Sequence, residues 1–402
     1  MTHAPKRPWW SLLALSTILL SPPVLAQQNT TTHYGYDPVG NLTQITDPRG
    51  LVTLRTHDPY GRVTHIAQPP AGQGAPQGKI SLAYDGQGRV QRVTDPKNLN
   101  TTYTIDGLGN PSQLQSPDTG LTQTTHDTAG NLKTRTDARG KTTTYTYDPL
   151  NRPTQIQFND STPSITLGYD TGPNAQGKLS HLQDGHSLTA WSYDAQGRIS
   201  GKQQNQPGRQ YTTLYPHDTH GRPQGIVYPS GIGVIQLYDA GGRPYVLATL
   251  NQNGYQLLYY VVEFQPFGGP KVALFGNQQP RLDINDLDGR RYAYSRDGDY
   301  RVLAYDQSSR IQFIYPAANP AQVHQYQYDD LDRLTGWLSP QGNEGYNYDP
   351  SGNRLQHIVG GESYAYTYPN DSHRLAAISG PQAKTNQYDA AGHPISDGTT
   401  TY

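Results

Sequence analysis

Aromatic and polar residues alternate in short stretches along most of the chain. Thr144-Tyr145-Thr146-Tyr147 and Tyr326-Gln327-Tyr328 are two examples of this two-residue period. Side chains two residues apart lie on the same face of a β-strand, so each stretch predicts a strand with its tyrosines on one face. No apolar run at helical spacing follows the N-terminal region. The pattern therefore predicts an all-β protein.

Most of these strands run into a Tyr-Asp pair, and a turn of the form D-x-x-G-R/N follows. The Asp carboxylate can accept hydrogen bonds from backbone N–H groups ahead of it, and Gly adopts a left-handed conformation without steric cost. A second short strand comes next, with apolar residues such as Val63 and Ile66, and then a second turn such as Asp95-Pro96-Lys97-Asn98. Each unit is thus predicted to contain two strands and two turns.

The Tyr-Asp unit recurs at a nearly fixed period. The first seven aspartates in this register are separated by 21, 27, 21, 21, 21 and 22 residues, and His57, His126 and His217 take the place of Tyr in three units. Such a period is typical of repeat architectures. We predict that the following residues define the repeat structurally: Tyr36, Asp37, Gly40, Asp58, Gly61, Arg62, Tyr84, Asp85, Gly88, Arg89, Asp106, Asp127, Tyr147, Asp148, Tyr169, Asp170, Tyr193, Asp194, Gly197, Arg198, Asp218, Tyr238, Asp239, Tyr328, Asp329, Tyr348, Asp349, Gly352, Tyr388 and Asp389.

The composition indicates a folded chain without a strongly hydrophobic core. Only 33% of the 402 residues are hydrophobic, yet there are 31 Tyr against 5 Phe. Disordered chains are poor in aromatic residues, so this chain is expected to fold with an amphipathic interior. Glu occurs only three times among 32 acidic residues, and Asp, unlike Glu, favours turns.

Charge and targeting features restrict the partners and the compartment. The net charge is −1 and no basic stripe is visible, so we expect no nucleic-acid partner. Residues 1–26 combine a basic start, an apolar stretch and a small residue, Ala26, before Gln27. This pattern predicts a signal peptide cleaved between Ala26 and Gln27. We expect an exported protein that is periplasmic, on the cell surface or secreted, with no membrane insertion after the signal is removed. Cysteine is absent.

Repeats of the form Y-x-Y-D-x-x-G-R/N-L-x-x-I resemble the YD repeats of the RHS family, and the resemblance covers roughly residues 30–402. That family includes bacterial polymorphic toxins, the shell-forming subunits of insecticidal toxin complexes and the teneurins. The resemblance implies a β-hairpin strip that spirals into a hollow shell, which can enclose a toxic C-terminal polypeptide. We expect the self-cleaving core that usually follows in that family to be absent here, so the resemblance transfers no catalytic residue.

Simple geometry also favours curling. About 16 units of two strands, with strands about 4.8 Å apart, make a sheet on the order of 150 Å wide. Twisted sheets seldom stay open beyond about 10 strands. A ring of that width would be roughly 50 Å across and too wide for side chains to fill. We therefore predict a spiral or a partial hollow shell with a polar, Tyr-lined inner face.

The repeat divides the chain into segments. We expect a first YD array at 27–243, degenerate or variant repeats with apolar strands at 244–305, and a second array at 306–402. Within the middle segment, Gln256–Phe264 is the most apolar stretch of the mature chain, and buried strands are favoured there over a local plug. The last residues resemble the start of another unit, so the second array is expected to be truncated.

Several patterns raise the question of chemistry. Repeated carboxylates could suggest glycoside hydrolysis, but a glycosidase needs one pair with divergent pKa values rather than many equivalent aspartates. The acid-dense stretches at 283–289 and 329–332 do not have EF-hand spacing. His217 and His220 lack a third ligand nearby, and Ser230 follows a Pro that breaks the G-x-S-x-G pattern. We expect no catalytic residue, metal site or cofactor.

The leading hypothesis is a non-enzymatic scaffold or shell, resembling the N-terminal part of RHS toxins, that encloses or presents a protein cargo or joins a second RHS polypeptide. A cell-surface carbohydrate-binding or adhesion protein is the alternative, because Tyr rows beside polar side chains also suit glycans. An inactive remnant of a split gene is a third reading.

Overall fold

A computed structural model describes residues 31–266, 268–296 and 298–402. The expected signal peptide and the Ala26–Gln27 cleavage site lie outside these residues. Every regular element within the described residues is a β-strand, which confirms the all-β prediction. Each strand from the first to the thirty-third pairs antiparallel with the next along the chain, as one continuous meander. The last two strands form a separate hairpin.

The first part of the meander contains the most regular repeats. Its strands are β1 (His33–Tyr36), β2 (Leu42–Thr46), β3 (Val52–His57), β4 (Val63–Pro70), β5 (Gln77–Tyr84), β6 (Val90–Thr94), β7 (Asn100–Ile105), β8 (Pro111–Ser116), β9 (Gly120–His126), β10 (Leu132–Thr136), β11 (Thr142–Tyr147) and β12 (Pro153–Phe158).

The central part continues the same ladder. Its strands are β13 (Ile165–Tyr169), β14 (Leu179–Gln183), β15 (Leu188–Tyr193), β16 (Ile199–Gln206), β17 (Arg209–Leu214), β18 (Gly225–Val227), β19 (Gly233–Tyr238), β20 (Pro244–Asn251), β21 (Gly254–Phe264), β22 (Pro270–Phe275), β23 (Pro280–Asn285) and β24 (Arg291–Arg296).

The last part completes the sheet and adds the separate hairpin. Its strands are β25 (Asp299–Tyr305), β26 (Ile311–Pro316), β27 (His324–Tyr328), β28 (Leu334–Ser339), β29 (Gly342–Tyr348), β30 (Arg354–Val359), β31 (Glu362–Thr367), β32 (Ala377–Ser379), β33 (Lys384–Thr385), β34 (Gln387–Tyr388) and β35 (Pro394–Ser396).

A β-bulge recurs where the strand meets the Tyr-Asp turn. In the first hairpin Gly35 pairs with Gln44 but Tyr36 pairs with Leu42, so one residue of β2 has no direct partner. The same shift occurs at Tyr84 and Tyr147. A bulge bends its strand and increases the local right-handed twist. Because these bulges all lie at one edge of the strip, they favour curling in one sense.

The sheet is a single layer and has little fully buried core. The buried apolar side chains among the described residues are mostly alanines, together with Val261, Val302 and Leu303. Gln256–Phe264, expected to form buried strands, belongs to the single strand β21, in which only Val261 is buried. A one-layer strip has no second layer to cover that segment. Stability must therefore come mainly from strand pairing and from side chains that cover one another along each face.

The strip coils until its second revolution touches its first. The turn between β6 and β7 contacts the turn between β31 and β32, across 278 residues of sequence. With strands about 4.8 Å apart, the intervening arc is on the order of 120 Å, which corresponds to a ring about 40 Å across. The predicted spiral of β-hairpins is thus confirmed, and the sheet does not close into a barrel.

Candidate functional site

The strip has two edges with different turns. Turns that follow an odd-numbered strand up to β31, together with the Asp389 turn between β34 and β35, form the Tyr-Asp edge, which includes the turns at Asp37, Asp85 and Asp148. Turns that follow an even-numbered strand up to β32 form the opposite edge, which includes the turns at Asp47 and Asp137. Each edge builds a distinct kind of contact.

Asp85 illustrates the turn of the Tyr-Asp edge. Its Oδ1 accepts hydrogen bonds from the backbone N–H of Gln87 and Arg89, both at 2.9 Å, and its Oδ2 accepts one from Arg89 Nε at 2.7 Å. The backbone N–H of Gly88, with φ of 85°, donates to the Asp85 carbonyl. This left-handed conformation favours Gly. One carboxylate therefore closes the turn and fixes the arginine.

The same arginine-to-aspartate bond recurs along this edge at 2.6 to 2.9 Å. It is made by Arg62, Arg89, Arg152, Arg198, Arg222, Arg243, Arg290, Arg310 and Arg333. Asn replaces Arg in the turns of Asp37, Asp106, Asp127 and Asp349 and donates to the same oxygen.

These hydrogen bonds stabilise the ionised carboxylates. The backbone N–H of Arg89 holds the pKa of Asp85 below its ordinary value of 3.8, and the Arg62 side chain does the same for the pKa of Asp58. In Asp127 the side-chain amide of Asn131 is the main cause of the lowered pKa. The turns are therefore built for ionised Asp at neutral pH.

The arginine also links each hairpin to the next. Arg62 lies over the ring of Tyr84, with its guanidinium carbon 4.6 Å from the ring centre, and the Tyr84 hydroxyl donates to the Val63 carbonyl at 2.7 Å. A cation over an aromatic face is attracted by the ring quadrupole. Equivalent tyrosine-to-carbonyl bonds come from Tyr147, Tyr169, Tyr193, Tyr238, Tyr328, Tyr348 and Tyr388.

The Tyr at the end of one strand thus contacts the Arg and the backbone of the preceding unit. Asp, Arg and Tyr form a repeated link that runs from hairpin to hairpin along the Tyr-Asp edge. Tyr36, in the first unit, has no preceding hairpin among the described residues and is 62% exposed. The link between Arg and the next Tyr was not part of the sequence prediction, which placed the tyrosines on one face of each strand and the aspartates in turns.

The opposite edge of the first revolution docks on the Tyr-Asp edge of the second revolution. We call this contact the seam, formed by turns within residues 47–140 and turns within residues 329–393. At one end, Arg49 Nη2 lies 2.9 Å from Asp332 Oδ1, and the Asp330 backbone N–H donates to the Ala71 carbonyl at 3.1 Å. At the other end, Arg139 Nη1 lies 3.3 Å from Asp389 Oδ2.

The centre of the seam is a network around residues 369–373. Lys97 Nζ donates to the carbonyls of Pro369 and Ser372, and the Asp95 carboxylate contacts His373 Nε2. Asp118 Oδ1 accepts from Ser372 Oγ at 2.8 Å and from the His373 backbone N–H at 2.7 Å. Ser372 is only 1% exposed. Side chains from two opposite-edge strand connections, β6–β7 and β8–β9, thus hold one turn of the second revolution.

The seam was not predicted from the sequence, although the turn at Asp95 was. The spacing between the Asp and the basic residue nevertheless differs between the two edges. On the Tyr-Asp edge the basic residue is four positions after the Asp, whereas Arg49, Lys97 and Arg139 are two positions after theirs. From that position each of them reaches the second revolution.

The acid-dense stretches prove to be turns and ion pairs. Asp286 closes a further Tyr-Asp-edge turn with Arg290, a unit that the sequence reading missed because Asn285 replaces the Tyr. Asp283 is buried between Arg281 and Arg291, at 2.7 and 3.0 Å. Asp332 pairs with Arg310 as well as with Arg49. Across the described residues, no group of three or more His, Asp and Glu side chains could hold a metal ion.

The remaining chemical candidates lie in ordinary turn positions. His217 Nδ1 is 3.9 Å from Asp194 Oδ2, and the His220 backbone N–H donates to Asp218. Ser230 belongs to a tight turn, in which its Oγ accepts from the Ile232 backbone N–H at 3.4 Å. None of these contacts joins His217, His220 or Ser230 to another of the three. No helix in the described part of the chain is long and apolar enough to cross a membrane.

Part of the chain matches the model of a known protein family. A family model described as RHS Repeat matches residues 25–52, 36–73, 84–121 and 126–162. A sequence comparison with curated proteins gave no match.

Solved structures of similar fold include toxin complexes. The chain is similar to the crystal structure of TcdB2-TccC3 without its hypervariable C-terminal region, with 15% identity, a TM-score of 0.75, and coverage of 90% of this chain and 24% of that chain. Intact TcdB2-TccC3 shows 16% identity and a TM-score of 0.75, with coverage of 93% of this chain and 24% of that chain. A Tc holotoxin pore of Photorhabdus luminescens with a TccC3 mutation shows 15% identity and a TM-score of 0.76, with coverage of 92% of this chain and 23% of that chain. At this identity the likeness concerns the fold, and the chain spans about a quarter of the length of those chains.

Proposed function

The chain carries repeats of the RHS family, and from this premise we propose that it is an exported, non-enzymatic scaffold whose coiled strip encloses or presents a partner polypeptide. The partner would be a protein cargo or a second polypeptide built from the same repeats. Its aspartates act in this proposal as structural groups that close turns and position arginines, and none serves as a catalytic acid or base.

The observation that carries the proposal is the seam. A flat or loosely twisted strip would offer only two faces and two edges, whereas contacts between successive revolutions make the strip a wall. A ring about 40 Å across is wider than side chains can fill. A wall around such a space suits enclosure, and the fold similarity to TcdB2-TccC3 supports the same reading.

The test is affinity purification of the tagged full chain from the cells that produce it, followed by limited proteolysis of the purified complex. We expect a co-purifying polypeptide that resists protease while it is bound to the wild-type chain. The control is the double variant Asp95→Ala/Asp118→Ala, which removes two seam carboxylates and should expose the partner to cleavage. If the wild-type chain brings down no polypeptide, or if both chains leave the partner equally protected, enclosure is wrong.

Export is tested separately. We expect the extracytoplasmic product to begin at Gln27, as read by N-terminal sequencing or intact mass. A product that keeps residues 1–26, or one found only in the cytoplasm, would contradict this part of the proposal without affecting the fold.

A second candidate function is glycan binding, and one surface favours it. Trp337, Tyr346, His357 and Tyr364 lie on adjacent strands, β28 to β31, and the Tyr346 and His357 rings are stacked with centroids 4.8 Å apart. Glu344 accepts hydrogen bonds from Tyr346 and His357 beside them. Aromatic faces next to planar hydrogen-bonding groups suit sugars. A glycan panel that raises the melting temperature of the wild type but not of Trp337→Ala would support this function, and no shift across the panel would count against it.

A further inference from the structure

A cavity of about 520 Å³ lies where the last hairpin meets the first revolution. One wall comes from β7 to β10 and the turn that follows, and includes Tyr103, Leu114 and Arg135. The other wall comes from Ala391 and His393, in the turn between β34 and β35. The cavity therefore exists only when the two revolutions are in contact.

The first wall is a continuous row across the sheet. Tyr103 pairs with Leu114, and Leu114 pairs with Thr122, so these side chains lie side by side on one face. Thr124, two residues further along β9, pairs with Arg135. The row thus offers an apolar floor of Tyr103 and Leu114, with the Arg135 guanidinium at one side.

The two arginines that line the cavity differ in their partners. Arg139 is neutralised by Asp137 at 2.5 Å and by Asp389 at 3.3 Å. Arg135 is an exposed residue that also lines the cavity, and no hydrogen bond or ion pair joins its side chain to another residue that the structure describes. One unpaired positive charge beside an apolar floor is the composition of a small-molecule site, in which a few polar groups orient a mainly apolar ligand.

We propose that this cavity binds a small amphipathic carboxylate. Its apolar body packs on Tyr103 and Leu114, and its carboxylate pairs with the Arg135 guanidinium, whose planar fork matches a carboxylate through two hydrogen bonds. A singly charged group fits better than a doubly charged phosphate because Asp137 also lines the cavity. Because both revolutions contribute walls, such a ligand binds the closed coil and stabilises the seam. The site does not depend on the presence of a cargo polypeptide.

The first test is calorimetric titration of the full chain with 3-phenylpropanoate and with 3-phenylpropanamide, which has the same shape without the charge. We expect the carboxylate to bind at least tenfold more tightly than the amide. Arg135→Ala should lose that preference. Arg92→Ala is the matched control, because Arg92 is exposed and pairs with Thr102, on the face of the sheet opposite to Tyr103. Equal binding of acid and amide to the wild type, or an unchanged preference in Arg135→Ala, would overturn the proposal.

The second test locates the ligand. An alkyl carboxylate bearing a diazirine is photolysed with the wild-type chain, and its adducts are mapped by mass spectrometry. We expect adducts both within residues 101–139 and within residues 387–396, suppressed by excess 3-phenylpropanoate. Adducts confined to the first of these segments, or scattered over the surface without competition, would show that the two revolutions do not build a common site.

Discussion

The two ends of strand β6 carry the same turn but make different contacts. At one end, Asp85 accepts hydrogen bonds from two backbone N–H groups ahead of it and from Arg89 Nε. At the other end, Asp95 accepts from the corresponding N–H groups of Lys97 and Leu99, at 2.8 and 2.9 Å, but its Oδ2 contacts His373 in the next revolution. The first turn is complete within its own hairpin, whereas the second is completed by tertiary structure.

The difference follows from the position of the basic residue. Arg89, four residues after Asp85, folds back on its own carboxylate and donates to the Asp106 carbonyl of the next unit. Lys97, two residues after Asp95, points away from the hairpin and binds two carbonyls of the second revolution. One edge therefore joins neighbouring hairpins into a strip, and the other joins successive revolutions into a wall.

Acidification should have the largest effect, because it acts on both edges at once. The Arg89 backbone N–H lowers the pKa of Asp85, and although burial opposes it, hydrogen bonds from Arg139 and Lys141 lower the pKa of Asp137. A pKa below the unfolded value means stabilisation that is full above pH 3.8 and is lost as the pH falls through the folded value. We expect the melting temperature, followed by circular dichroism, to be steady between about pH 5 and 7 and to fall steeply below about pH 4. A melting temperature unchanged down to pH 2 would contradict this account of the turns.

Replacing one aspartate at each edge should distinguish the contributions of the two kinds of turn. Asp85→Ala leaves turn N–H groups without an acceptor and should lower the free energy of unfolding by about 2–3 kcal/mol. Asp95→Ala should cost a similar amount, because it loses the contact with His373 where Asp85→Ala loses the bond from Arg89. Hydrogen exchange should accelerate at residues 368–376 in Asp95→Ala only.

His373→Ala provides the control for this pair. Combined with Asp95→Ala, it should add less than the sum of the two single effects, because both changes remove one contact. Combined with Asp85→Ala, the effects should be additive. Additivity in both combinations would mean that the Asp95–His373 contact contributes nothing.

A smaller effect tests the link along the Tyr-Asp edge. Tyr84→Phe removes the hydroxyl that donates to the Val63 carbonyl at 2.7 Å, and the free energy of unfolding should fall by about 1 kcal/mol. Tyr60→Phe is the matched control, since Tyr60 is 84% exposed. Chemical denaturation measures both variants. Equal stability of the two would indicate that the tyrosine hydroxyl has no structural role.

The smallest expected effect concerns the backbone of an opposite-edge turn. Asn98 has a φ of 65° and an exposed side chain. Asn98→Gly should be neutral or stabilising by about 0.5 kcal/mol, whereas Asn98→Ala should destabilise by about 1 kcal/mol because Ala is strained in this conformation. Denaturation midpoints at constant slope give both values. A more stable Ala variant would show that the turn relaxes into another conformation.

Some features could be predicted from local sequence and others could not. The strands followed from the two-residue period, and the unit at Asp286 was missed although Gly289 and Arg290 stand in the expected positions. The burial expected for Gln256–Phe264 was wrong because a one-layer strip has no second layer to cover an apolar strand. The stacking of Arg62 on Tyr84 joins two units, so no single unit reveals it.

The sequence by itself determined the strands, the turns of both edges and the hairpin order, because these depend on side-chain alternation and on hydrogen bonds within a few residues. It also shows that Asp95 lacks a basic residue four positions later, because Leu99 stands there, whereas Asp85 has Arg89 at that distance. Only the tertiary structure decided that His373 contacts the Asp95 carboxylate instead. Curvature accumulates over many hairpins, so the turn that arrives beside Asp95 depends on the twist of the whole revolution and on no local pattern.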